Sequence, residues 1–184
     1  MRRSGQVRWL GRIAAIAAVL AILAAPARAA TEVDRVQQIK AAYLYNFARF
    51  VSWPPEKLGA DKAIEFCILD RDPLVAALDE VLAGKSIDTQ RVVVRHVQRV
   101  EDMRTCHVAY LGGVDAPHLG AALDALAGAS VLTVYEGSEK QADGAIRFFL
   151  EDRKVRFEIN LGLARREHLE LSSHLLNVAR VVQD

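Results

Sequence analysis

The sequence predicts an α/β fold: a three-layer sandwich with a mostly parallel sheet, helices on both faces and a C-terminal antiparallel edge hairpin. Three observations predict it. Runs rich in β-branched and aromatic residues (63–69, 91–97, 107–111, 131–135) are interleaved with runs of helical periodicity (74–84, 116–126), as in sheets built from crossover-linked parallel strands. Residues 36–55 gather five of the twelve aromatics of the chain (Tyr43, Tyr45, Phe47, Phe50, Trp53), and a helix carrying them must be buried against something. Two more strand-like runs, 145–150 and 155–159, are separated by only four residues, a hairpin spacing.

The first 29 of the 184 residues read as a secretory signal peptide. Arg2, Arg3, Arg8 and Arg12 form a positive n-region, Ile13 to Ala25 an apolar run, Pro26 breaks it, and Ala27-Arg28-Ala29 is an A-x-A cleavage site. The apolar run is short of the roughly 20 residues that span a bilayer, so cleavage after Ala29 is expected, with retention as an inner-membrane anchor the alternative. Residues 30–184, 52% apolar in the whole-chain count, then suit one domain with a sizeable core. The chain has 24 Lys and Arg against 23 Asp and Glu; five of those arginines fall in residues 1–29, so the mature chain has 19 against 23. A mildly acidic, exported domain argues against nucleic acid as a partner. No stretch of the mature region is apolar enough to span a membrane.

Within residues 30–184 the elements follow from local chemistry. Thr31 to Asp34 resembles a capping box. Val36, Ile39, Tyr43, Phe47 and Phe50 recur at helical steps, and Trp53-Pro54-Pro55 stops that helix. Residues 63–69 form the first strand, after which Asp72 is expected to cap a helix with Pro73 at its first position and Gly84 just beyond its end. Residues 91–97 and 107–111 are the second and third strands, joined by a short helical or irregular link at 101–104. Gly112-Gly113 leads into a helix over 116–126, and 131–135 is the fourth strand. The loop 136–143 is expected to be exposed and mobile. After the hairpin, 161–166 is expected to form a short helix and 172–182 a last, longer one.

No motif for catalysis or cofactor binding is present: the sequence lacks G-x-G-x-x-G, G-x-x-x-x-G-K-[ST], G-x-S-x-G and H-E-x-x-H. The five histidines (96, 107, 118, 168, 174) show no ligand spacing. Asp70-Arg71-Asp72 at a strand's carboxyl end reads better as a helix start than as an active site, and Gly112-Gly113 better as a turn than as a phosphate cradle. No catalytic residue, cofactor or metal is therefore expected. Cys67 and Cys106, an even number in an exported chain, favour a disulfide by compartment, with two inert buried thiols as the other reading. Strand alternation puts Arg156, Glu158 and Asn160 on one face and Val155, Phe157 and Ile159 on the other; the apolar set is expected inward, leaving the polar set exposed on the hairpin.

Several of these stretches carry a resemblance. IKAAYLYNFARFVSWP, residues 39–54, resembles the opening helix of the YfiR family, K-A-x-Y-L-x-N-F-x-x-F-x-x-W-P. Gly144, Ile146 and Phe148 match its G-x-I-x-F, Val155 to Asn160 its V-R-F-E-I-N, and Leu171, Ser173, Leu175 and Leu176 its last helix opening. Family members also tend to carry cysteines at the positions of Cys67 and Cys106. Arg147 departs from the pattern, standing where a small residue is common, as does a 151–154 turn without glycine. The resemblance implies a periplasmic regulator without catalysis. Such a protein binds the periplasmic region of an inner-membrane diguanylate cyclase of the YfiN type and represses it, lowering cyclic di-GMP, with consequences for biofilm formation and motility. Arg156, Glu158 and Asn160 are the expected partner-binding residues, and a homodimer is a second association left open. A periplasmic small-ligand-binding or sensor protein is the alternative, since an α/β sheet with loops at its strand ends serves that use equally well.

Overall fold

The computed structural model describes residues 31–59, 63–137 and 144–182. The signal-peptide expectation for 1–29, and most of the loop expected to be mobile, lie outside the described residues.

The chain enters through α1 (Glu32–Arg49), followed by β1 (Val51–Ser52) and a single helical turn, α2 (Pro55–Leu58). Then come β2 (Ile64–Leu69), α3 (Val75–Leu82), β3 (Ser86–Ile87) and β4 (Gln90–Val97). A 3-10 helix (Val100–Thr105) leads to β5 (Val108–Tyr110), α4 (Ala116–Leu126) and β6 (Leu132–Glu136). The hairpin is β7 (Ile146–Glu151) and β8 (Lys154–Asn160), followed by α5 (Leu161–Arg166), β9 (Glu170–Leu171), α6 (Ser173–Leu176) and β10 (Arg180–Val182). Among the described residues, eight strands form one sheet in the order β10-β8-β7-β6-β5-β2-β4-β3, and β1 pairs with β9 in a separate ribbon. The pairs β10–β8, β7–β6, β6–β5, β5–β2 and β2–β4 are parallel; β7–β8 and β3–β4 are antiparallel. The expected α/β class, mostly parallel sheet and C-terminal antiparallel hairpin are all present.

Alternation along the strands builds two cores. Ile64, Phe66 and Ile68 of β2, Val108 and Tyr110 of β5, Leu132 and Val134 of β6, and Ile146 and Phe148 of β7 point to one face, where they meet α1 and α3. Cys67, Ala109 and Tyr135 point to the other, against Leu119, Leu123 and Leu126 of α4 and Met103 of the 3-10 helix. These are the three layers. The aromatics of α1 pack as their density demands: Phe47 meets Phe157 edge-on with centroids 4.8 Å apart and Phe148 at 5.6 Å, and Tyr43 lies 5.2 Å from Phe157. Ile39 is the exception in the expected stripe. It is exposed, and the buried arc runs instead through Lys40, Ala41, Leu44, Phe47 and Ala48. Trp53 anchors the end of this segment, its indole N–H donating to the His107 carbonyl at 3.2 Å.

The expected helix over 172–182 is corrected. Only Ser173–Leu176 is helical, and the chain then extends as β10, pairing residues 180–182 in parallel with 158–160 of β8. Backbone groups along the outer side of β8 need partners, and this pairing supplies them better than a longer surface helix would. The hairpin consequently has one more strand outside it.

Candidate functional site

β7 and β8 are joined by a two-residue turn, Asp152-Arg153, which fixes the register Arg147↔Glu158, Phe149↔Arg156 and Glu151↔Lys154. All of these alternate away from the α1 face. Val155, Phe157 and Ile159 are buried on that face, as expected. The polar set, however, is not uniformly exposed. Glu158 and Arg147 have side chains only 11% and 8% exposed and form an ion pair, Nη2 to Oε2, of 3.1 Å. Arg147 also donates to the Gly137 carbonyl at 3.0 Å. Asn160 is buried, and its side-chain oxygen accepts from the Leu163 N–H at 2.8 Å, capping α5. The expectation of an exposed Arg156–Glu158–Asn160 face is therefore corrected: parity assigns a face but does not say what covers it, and here neighbouring strands and α5 do.

Arg156 remains at the surface, 53% exposed and 3.8 Å from Glu151. Around it lies a group that alternation alone did not single out. Phe149 has the guanidinium carbons of both Arg147 and Arg180 at 4.9 Å from its ring centroid, and Arg180 reaches Glu151 at 3.0 Å. The exposed part of this face is thus an aromatic ring bracketed by cations, with Glu151 between Arg156 and Arg180. Next to it, Leu150 is 64% exposed on the opposite side of β7. The register was a usable signal for Arg147, because a hairpin closing at residues 151–154 puts position 147 opposite 158. Arg180 had no such signal, since it was expected on a helix.

Cys67 and Cys106 form a disulfide, with Cα atoms 6.1 Å apart, inside the core under α4. Cys67 lies on β2 and Cys106 just before β5, the strand beside it. Nη1 of Arg95 stands 3.5 Å from the Cys106 sulfur while pairing with Glu65 at 2.7 Å.

A second polar group collects at the carboxyl ends of β2, β5 and β6. Lys40 of α1 donates to Glu136 at 2.6 Å, and the Tyr110 hydroxyl donates to the same carboxylate oxygen. Asp72 accepts from the Leu74 N–H at 2.8 Å in a turn that precedes α3; the expected cap is corrected, because the helix starts at Val75 with Leu74, not Asp72, at its N-cap and Pro73 lies before it. Burial raises its pKa, and the Glu136 charge adds to that, against lowering by hydrogen bonding from the backbone and by Lys40. Burial and the same glutamate hold the Tyr110 hydroxyl protonated far above its ordinary range. Gly112 and Gly113 are required here: a Cβ on the first would strike the Tyr110 hydroxyl, and one on the second would lie 2.9 Å from Asp72 Oδ2. Among the described residues no three His, Cys, Asp or Glu converge as metal ligands, and no helix is long and apolar enough to cross a membrane.

The family model described as YfiR/HmsC-like matches residues 37–180. The chain belongs to the YfiR/HmsC-like family. The match runs from within α1 to the first residue of β10, so in this YfiR/HmsC-like protein it takes in both cores, the disulfide and the whole hairpin. No curated protein matches the chain.

Proposed function

We propose that residues 1–29 are a cleaved signal peptide and that residues 30–184 are one periplasmic, non-catalytic domain. Its function is to bind the periplasmic region of an inner-membrane diguanylate cyclase of the YfiN type and hold it inactive, lowering cyclic di-GMP. The observation that carries this reading is family membership over residues 37–180. Repression of this kind is a population shift: the regulator must bind the inactive cyclase more tightly than the active one, by about 5.5 kcal/mol to move it from mostly on to mostly off.

The surface assigned to the contact is the outer hairpin face. Arg156 makes it directly, with Phe149, Glu151 and Arg180 around it. Cation-flanked aromatics suit such a centre, since Arg and aromatic residues dominate interface energetics. Glu158 and Asn160 act behind it, one by fixing Arg147 and the other by capping α5. A homodimer is a separate association, read by light scattering of the mature chain.

The test has two parts. Tagged mature protein is used to capture partners from detergent-solubilised envelope; recovery of a membrane protein with a cytoplasmic cyclase domain is expected, and its absence overturns the repressor reading. Cellular cyclic di-GMP is then compared for wild type and Arg156→Glu. A rise with unchanged melting temperature supports the surface; an unchanged level moves the contact elsewhere and leaves the first part standing.

A further inference from the structure

β4 is an edge strand over most of its length. Its inner side pairs with β2 without a break from Val92 to Val97, but β3 meets its outer side only at Gln90 and Arg91. Backbone parity identifies what is left open. The Val92 N–H donates outward to the Lys85 carbonyl at 3.0 Å, whereas the Val97 carbonyl accepts inward from the Asp70 N–H. Val94 and His96, in step with Val92, therefore turn both backbone groups outward, where no backbone partner meets them among the described residues. Nothing blunts this edge: residues 92–97 contain no proline, and the unbroken register leaves no bulge to bend them away. The side chains add a second observation. Val92 and Val94 pack on the α1–α3 core, but Val93, on the other face, is half-exposed and joins neither core.

The registers decide against a second copy as the added strand. An antiparallel twofold pair centred on Val94 brings the copy's Val97 opposite Arg91, the place Ser86 already fills. Centring it on Arg95 sets two arginines face to face, and centring it further along runs off the strand, which ends at Val97. The occupant is then an extended segment of another protein, and the flanking groups give its chemistry. A residue facing Val93 lies diagonal to both Arg91 and Arg95 on the same face. Arg95 is paired with Glu65 at 2.7 Å, while exposed Arg91 has no carboxylate within ion-pair distance among the described residues, so an acidic side chain fits there. On the opposite face, Asp79 of α3 holds His96 at 3.0 Å, with exposed Ala76 and Ala83 one turn to either side of it. Side chains this small leave space for apolar residues facing Val92 and Val94. We propose that the outer edge of β4 binds an extended apolar–acidic–apolar segment of a partner protein, which adds to the sheet as a further strand. The assignment is independent of the cyclase reading, because this edge and the hairpin lie at opposite ends of the sheet.

Amide hydrogen exchange of the mature protein is followed with acetyl-VEVTV-amide and with its reversal acetyl-VTVEV-amide, which offer the same pattern in the two chain directions. In the free protein the Val94 and His96 amides exchange freely, while those of Val93 and Arg95, which face β2, are protected. A saturating concentration of one of the peptides slows exchange at Val94 and His96 by about tenfold or more. Arg91→Glu, at an exposed position, weakens binding of that peptide about fivefold and strengthens binding of its counterpart with lysine in place of glutamate. The proposal is overturned by Val94 and His96 amides already protected in a monomer, or by exchange that neither peptide slows. Protection that grows with protein concentration as light scattering detects a dimer overturns it in favour of a second copy, and undiminished peptide binding in Arg91→Glu overturns the acidic segment.

Discussion

Arg147 and Glu158 face each other across the hairpin, Nη2 3.1 Å from Oε2, with both side chains almost wholly withdrawn from solvent. Two charges in such a place depend on each other. Removing one leaves the other desolvated and unpaired, so Arg147→Ala is expected to cost about 3–5 kcal/mol in urea denaturation. The double replacement Arg147→Met/Glu158→Met should fall within about 1.5 kcal/mol of wild type or exceed it, since no charge is left behind. A loss under 1 kcal/mol for the single variant would mean that water reaches the pair.

The turn beside this pair is strained. Asp152 and Arg153 have φ of 51° and 59°, the left-handed region that a two-residue hairpin turn of this hand requires. Arg153→Gly should therefore stabilise by about 0.5–1 kcal/mol, raising the melting temperature by about 1–4 °C, while Arg153→Ala should give no gain. Equal effects of the two would assign the change to loss of the arginine side chain.

The disulfide closes a loop of 39 residues between neighbouring strands. Chain-entropy reasoning caps its contribution at about 4 kcal/mol. Cys67→Ala/Cys106→Ala should lose much of that, and reductant should lower the wild-type melting temperature while leaving the double variant unmoved. A reductant effect that persists in the variant would place its cause outside this bridge.

Asp72 gives a pH dependence of defined sign. Its folded pKa is raised above 3.8, first by burial and then by Glu136. The protonated carboxyl therefore contributes stability that is fully present below pH 3.8 and lost as pH rises through the folded value. Asp72→Asn, uncharged throughout, should match wild type at the acid end and gain on it progressively toward pH 7. Melting curves across that range decide it; the opposite slope would show Lys40 dominating the local field.

Much of this architecture was legible from residue order. The aromatic density of 43–53 required a buried helix, Asp72 and Pro73 announced the turn into α3, and the four residues between 150 and 155 fixed a hairpin register. These features are set by local steric and hydrogen-bonding preferences that act within a few residues, so the sequence carries them directly. Even the pairing of 147 with 158 was implicit in that register.

What the chain order could not carry was cover. Val155 and Glu158 alternate correctly, yet whether Glu158 meets water depends on Arg147 of β7 and on β10, strands contributed from both directions along the chain. Residues 177–182 have helical periodicity, but the unpaired edge of β8 offers hydrogen bonds that only exist once the sheet is formed, and the segment extends to take them. Likewise Asp72, Tyr110, Glu136 and Lys40 are scattered over almost a hundred positions and meet only because three parallel strands end side by side. The sequence by itself determined the central strands and helices, the hairpin and the family resemblance; the tertiary structure decided the last strand and which polar groups are buried together, because edge pairing and burial depend on neighbours brought together by the sheet rather than on any residue's own chemistry.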